Sequence, residues 1–341
     1  MAAGCDLSEG SYDPRRILTE EDLNDIFSVL FSSKSKNTTS YKFGFLKAIL
    51  DNLYNVDINL SLSFTSIFAK FAESYWNLVL VHKLKQCRGA SQGKIYDILH
   101  EEWSNLPENK GRSENTNVIP FESLSAESQV KIISNVTKEC SKYVVGATYV
   151  DSKGNFYSFS KKSKTITLNP VVYQYLLRHK TMIEKVNYFE WAKFLHEVNE
   201  SSGTDYLESL DYSTKRNNLD FYRKILFELD TPEEKGHRCF YCDEPLMDDR
   251  HTHVDHFIPW SFVKDDKLWN FVLACSKCNE RKKNKLPPSD KIDLIVKRNR
   301  MLIDSRDSVP LIDTNVYTDE TIPYLYKVAA INGFNEVWAG K

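Results

Sequence analysis

The sequence predicts an α+β chain in two parts: a mostly helical N-terminal region with a small β-hairpin, and a compact C-terminal module clamped by cysteines. Three observations predict it. Apolar residues recur at helical spacing through most of the first 230 positions. A β-branched and aromatic stretch interrupts them between residues 143 and 168. Two C-x-x-C pairs, Cys239/Cys242 and Cys275/Cys278, then fall near the C-terminal end.

Residues 1 to about 12 read as a loose tail. Thr19 and Asp22 frame a capping box ahead of Leu23, Ile26, Phe27, Leu30 and Phe31. Ser32 to Ser40 is polar and reads as a loop. Helices follow over about 41–53 and 63–86, then 93–106, with Pro107 to Asn117 a polar linker. Another helix spans about 125–142. Tyr143 to Val150 reads as a strand, Asp151 to Asn155 as a turn, Phe156 to Phe159 as a second strand and Thr165 to Leu168 as a third. Helical pieces run from Pro170 to Asn199, break at 201–203 and resume over 217–229. Thr231-Pro232 opens the cysteine-rich module. Beyond it, 304–318 is irregular and 319–331 is a helix.

Composition limits the function classes. A chain of 341 residues with 41% hydrophobic and 13% aromatic residues builds real cores and is not disordered. A net charge of −2 excludes a chain-wide polyanion coat, so any nucleic-acid surface is a local patch. No run of 18 apolar residues predicts a membrane span; Phe64 to Leu84 is broken by Lys70, Glu73, Asn77 and His82. Met1 to Gly10 carries neither a basic nor an apolar region, so no signal peptide and a cytoplasmic location are expected. In that reducing setting clustered cysteines read as metal ligands rather than disulfides.

Of seven cysteines, Cys5, Cys87 and Cys140 are scattered. Each C-x-x-C pair places two thiolates in one turn, and two such turns make a tetrahedral Cys₄ site of the structural zinc type. All four positions are then filled, so this ion holds the fold. The 32 residues between the pairs form a folded insert. Within it Val254, Phe257 and Ile258 suit a short strand ended by Pro259. Asp255 and His256 are adjacent, so a regular strand aims them at opposite sides and a bend is needed to bring both to one centre. Phe271 to Ala274 makes a second strand, and a helix begins near Asn279.

Cys239-x-x-Cys242, Val254-Asp255-His256-x-Ile258-Pro259, Trp269-Asn270-x-Val272-Leu273, Cys275-x-x-Cys278-Asn279 and Lys282 resemble an HNH endonuclease of the ββα-metal type. The resemblance implies that His256 is the general base. It implies that Asp255 and Asn279 hold one divalent ion and that Asn270 orders the loop. Asn279 stands at the third signature position in place of histidine, as in many members of the family. A carboxylate and an amide oxygen are hard ligands that suit Mg²⁺ or Mn²⁺. A histidine of ordinary pKa can take a proton from water, and a divalent ion neutralises a phosphodiester. Each residue also has a plain reading: His256 as a core histidine, Asp255 as a turn residue, Asn279 as a helix N-cap. His253 reads as an auxiliary ligand or a surface histidine, and His237 and His251 as solvent-exposed.

Residues 276–300 carry nine basic side chains against three acidic ones, a face suited to phosphate backbones. Arg281, Lys282, Lys283 and Lys285 are the candidate contacts. The expected organisation is 1–230 as a regulatory, partner or DNA-binding domain, 231–303 as the HNH module, and 304–341 as an extension with a packing helix. The expected substrate is DNA, with RNA left open, in restriction or anti-phage defence. Alternatives are an effector subunit silenced until a sensor or ATPase partner or another signal releases it, and a zinc-dependent binding module without cleavage. A homodimer is compatible with double-strand cutting.

Overall fold

The computed structural model describes residues 7–31, 38–109, 118–199, 206–212, 219–229, 237–246, 252–304 and 316–338. It divides into two compact units, Met1–Lys215 and Arg216–Lys341. The expectations for 201–203, for Thr231-Pro232, for His251 and for 305–315 lie outside the described residues.

The first unit runs β1 (Glu9–Gly10), α1 (Glu20–Phe31), α2 (Tyr41–Asp51), β2 (Ser61–Ser63), α3 (Phe64–Trp76), α4 (Lys94–Asn105), α5 (Ala126–Asp151), β3 (Tyr157–Ser160), β4 (Thr165–Leu168), α6 (Pro170–Val198) and α7 (Tyr206–Tyr212). The capping box of α1 closes as read. The Asp22 N–H donates to Thr19 Oγ1 at 3.2 Å, and the Thr19 N–H donates to Asp22 Oδ2 at 2.9 Å. Asn169 caps α6, accepting from the Val171 N–H at 3.0 Å, with Pro170 in the first turn. Helix α6 kinks at His179 (φ −117°, ψ 15°), in keeping with the expected pieces. Helix α3 stops at Trp76 and passes into a π-helical turn, Asn77–Val81, short of the expected end at 86.

The core lies between α2, α3 and α5, where Phe45, Ile49, Ile67, Phe68, Phe71, Ile132 and Val136 are fully buried. Charges are buried there too. Lys47 pairs with Asp51 one turn along and reaches Glu184 of α6 at 3.6 Å, tying the two helices through a desolvated ion pair.

Two further expectations fail in this unit. Tyr143 to Val150 is not a strand, because α5 continues through it to Asp151. Val136, Cys140, Val144, Val145 and Thr148 are buried at helical spacing, so tertiary packing overrides the β-branched propensity. Nor is the N-terminus all tail. Glu9 and Gly10 pair with Ser160 and Phe159, and the resulting antiparallel sheet has the order β1-β3-β4-β2. Gly10 is required there: a Cβ would fall 2.6 Å from the Tyr149 ring. The β3–β4 hairpin holds the register Tyr157↔Leu168 and Phe159↔Ile166, and all four side chains are buried.

The second unit runs α8 (Asp220–Leu229), β5 (Thr252–His256), α9 (Trp260–Val263), β6 (Phe271–Cys275), α10 (Ser276–Lys282), α11 (Ile292–Asp304) and α12 (Thr321–Ile331). Strands β5 and β6 form an antiparallel hairpin from Thr252↔Cys275 to His256↔Phe271. Helix α8, read from sequence as part of the N-terminal domain, belongs to this unit; its Tyr222 ring lies 4.7 Å from Phe271. Helical spacing shows which face of α8 is apolar but not which partner covers it. The stretch after α12 returns to the module. The Trp338 N–H donates to the Leu286 carbonyl at 2.8 Å, and the Trp338 ring packs on Tyr241. No helix among the described residues is long and apolar enough to cross a membrane.

A pair of substitutions separates helix from strand at 143–150. A strand places Tyr143 and Val145 on one face, whereas the helix buries Val145 and leaves Tyr143 half exposed. Val145→Lys is expected to cost about 3 kcal/mol or more by burying an unpaired ammonium, and Tyr143→Lys about 0.5 kcal/mol or less, read by urea unfolding.

Candidate active site

Two tight turns carry the cysteines. In the first, the Cys239 N–H donates to the Glu244 carbonyl and the Asp243 N–H to the Cys239 carbonyl, each at 2.9 Å, with Asp243 in the left-handed region. The second is the β6–α10 junction. The Phe240 N–H donates to the Leu273 carbonyl at 2.9 Å, laying the first turn along β6. The four sulfurs lie within 4.8 Å of one another, with Cys242 and Cys275 at 3.8 Å. A tetrahedron of thiolates at about 2.3 Å from zinc has edges of about 3.8 Å, so the cluster fits a Cys₄ zinc ion. Burial raises the Cys239 thiol pKa, so protons compete with the ion for this site.

The same clamp aims side chains at Asp255. Tyr241, inside the first turn, donates its hydroxyl to Asp255 Oδ2 at 2.6 Å. Burial, and then the Asp255 charge, push the Tyr241 phenol pKa well up and keep it a donor. Lys282, one turn beyond Cys278 on α10, brings its ammonium to the same oxygen at 2.9 Å and donates to the His256 carbonyl at 2.7 Å. Lys282 is fully buried. It was expected on the nucleic-acid face; instead it is an internal counter-charge, because the fourth position after Cys278 turns back to the hairpin. Both contacts to Asp255 fall on Oδ2, so Oδ1 is the oxygen that remains for a cation.

His256 ends β5 and its imidazole takes a different direction. Nε2 lies 2.9 Å from Asp266 Oδ1, both side chains being 8% exposed. The ring meets Phe271 edge-on at 4.7 Å. Strand pairing continues through His256, so no bend separates it from Asp255, and the two side chains keep separate partners. Asp266 is a site residue that sequence reasoning missed; a carboxylate in a polar loop ten positions downstream carries no local signal.

Asn270 is fully buried and bonds Ile258 reciprocally. Its Oδ1 accepts from the Ile258 N–H at 2.8 Å and its Nδ2 donates to the Ile258 carbonyl at 2.9 Å. The side chain thereby supplies the backbone pairing that β5 loses as it approaches Pro259. Helix α11 holds the other side: Asn299 donates to the Trp269 carbonyl at 2.8 Å and Arg298 to the Phe271 carbonyl. Neither stood out in the sequence, where Arg298 counted toward the basic face; it is buried.

Asn279 lies mid-way along α10 and is half-buried. Helix α10 begins at Ser276, so Asn279 is not its N-cap. Its amide makes no hydrogen bond among the described residues. His253 is half-buried, with Nε2 3.0 Å from Ser276 Oγ. His237, expected in solvent, is half-buried with its ring 4.2 Å from Phe227. Arg281 and Lys283 are exposed, as is Lys277, while Lys285 pairs with Glu336 at 3.2 Å.

Zinc content and two lysine variants check this arrangement. The purified chain should carry one zinc per molecule, and Cys275→Ser should lose it and unfold the second unit. Lys282→Ala should cost about 3–5 kcal/mol, since it strands the buried Asp255 charge. Lys283→Ala should cost about 0.5 kcal/mol or less, since its side chain is exposed and alanine brings the same Cβ to its left-handed backbone (φ 49°).

No curated protein and no solved structure matches the chain. Residues 239–288 match the family model of the HNH endonucleases, a stretch that starts at the first clamp cysteine and holds all four, together with Asp255, His256, Asn270 and Asn279.

Proposed function

We propose that the second unit is a metal-dependent endonuclease that hydrolyses phosphodiester bonds of DNA. The observation that carries this reading is the buried Asp255–His256 pair inside the stretch that matches the HNH endonucleases. A module that only grips nucleic acid does not need an acid and a histidine side by side, each held by its own buried partner.

The residues fit a second, divalent ion, Mg²⁺ or Mn²⁺. Asp255 has its Oδ2 fixed by Tyr241 and Lys282, and hydrogen-bonded ligating carboxylates are the rule in such sites. The Asn279 amide is unbonded among the described residues and adds a second hard oxygen. When bound, such an ion neutralises charge on the scissile phosphate and stabilises the leaving oxygen. His256 serves as the general base that takes the proton from the attacking water. Asn270 keeps the end of β5 in place. Lys277, Arg281 and Lys283 offer exposed charge to the phosphate backbone, which positions the substrate without reading its sequence.

We assign the protein to restriction or anti-phage defence by analogy of layout, a helical region ahead of an HNH module. The first unit is then the surface for a regulatory or sensor partner. A pair of copies is the simplest way for one-cut sites to break both strands.

Cleavage of plasmid with Mg²⁺ or Mn²⁺ tests the reading. The wild type should cut and His256→Ala should not, at equal zinc content. Equal cutting by both, or none by either on DNA and RNA, removes it. Arg281→Ala and Lys283→Ala should weaken binding evenly across sequences and lower the salt slope by about 1 each.

A further inference from the structure

We propose that Asp266 is the positioning residue of the general base: its carboxylate takes the Nε2–H of His256 and so assigns Nδ1 as the nitrogen that receives the proton from water. The inference rests on the endonuclease reading for its consequence, and on geometry alone for the assignment.

A neutral imidazole has one N–H donor and one lone-pair nitrogen, and an ionised carboxylate can only accept. The 2.9 Å contact between Nε2 and Asp266 Oδ1 therefore puts the hydrogen on Nε2. Nδ1 keeps the lone pair, and it has no hydrogen-bond partner among the described residues. The ring is not free to turn. Phe271 meets it edge-on, and Tyr222 of α8 packs on Phe271 in turn.

Asp266 is itself placed. Lys264 closes α9 in the left-handed conformation (φ 57°) and turns the chain toward β6. The Asp266 N–H donates to Asp265 Oδ1 at 2.9 Å, and the Tyr222 hydroxyl donates to the Asp266 carbonyl at 3.4 Å. Lys267 reaches the neighbouring Asp265 carboxylate at 3.4 Å. Asp255, the carboxylate next to His256 in sequence, is occupied by Tyr241 and Lys282. The two acids have separate tasks, Asp255 toward a cation and Asp266 toward the base. The carboxylate also compensates the charge that His256 gains when it takes the proton.

The test uses the full zinc-loaded chain labelled with ¹⁵N-histidine. Only eight histidines contribute signals, and His256→Gln identifies the one in question. Long-range ¹H–¹⁵N spectra should show His256 with its hydrogen on Nε2. Asp266→Ala should release it to a mixture of tautomers, and Asp266→Asn, which keeps an oxygen acceptor of the same shape, should retain it. In cleavage, Asp266→Ala should lower kcat about 10–100-fold, the usual effect of losing such an outer partner, with KM nearly unchanged. Asp266→Asn should recover part of the loss. A wild-type hydrogen on Nδ1 overturns the proposal, as does a tautomer or a kcat that Asp266→Ala leaves unchanged. If the tautomers behave as expected and the wild type cuts no nucleic acid, the assignment stands and the endonuclease reading falls.

Discussion

Four sulfurs converging on one point are the constraint from which the second unit follows. A two-stranded hairpin is marginal in water by itself. Here one strand runs into the second C-x-x-C turn, and the first turn is laid alongside it through Phe240 and Leu273. A dication held by the four thiolates would close that loop of chain. It also fixes where neighbouring side chains point. Tyr241 sits between Cys239 and Cys242, Lys282 sits one helical turn after Cys278, and both reach the same oxygen of Asp255. The cysteine cluster and the candidate chemistry are thus coupled by covalent spacing, although an ion held by all four cysteines would leave no position open to substrate.

Burial makes the two acids near the hairpin depend on partners. Asp255 has Lys282, and Asp266 has the His256 imidazole. In a low-dielectric setting each such pair is rigid, since separating its members exposes an uncompensated charge. The backbone is held in the same way. Asn270 replaces a strand partner for Ile258, and Asn299 and Arg298 reach across from α11 to the carbonyls of Trp269 and Phe271. The chemistry proposed for this site, with water, a base and a phosphate in one geometry, gains from such fixed supports.

The first unit follows a different logic. Its core is aromatic and helical, and its sheet is a small addition that recruits residues 9–10 and 61–63 to the β3–β4 hairpin. Much of this was legible. The period of apolar residues located α1 to α6, a capping box marked the start of α1, and Pro170 marked that of α6. The stretch 143–150 was misread because β-branched side chains report a local preference, whereas the helix is held by contacts with elements elsewhere in the chain, such as the Tyr157 hydroxyl on the Val145 carbonyl. Gly10 gave no sign of its pairing, since the ring it must approach belongs to Tyr149.

What the sequence by itself determined is the cysteine spacing, the adjacency of Asp255 and His256, and the asparagines that flank β6. Those are chemical identities at fixed separations, and the expectation of a metal site and the family resemblance follow from them. Only the tertiary structure decided which groups those residues meet. It moved Lys282 from the surface to the interior, brought Asp266 to the imidazole, and placed α8 against the hairpin. The reason is that a side chain's charge and shape are local properties, while its partner is chosen by folding elements that are distant along the chain into contact.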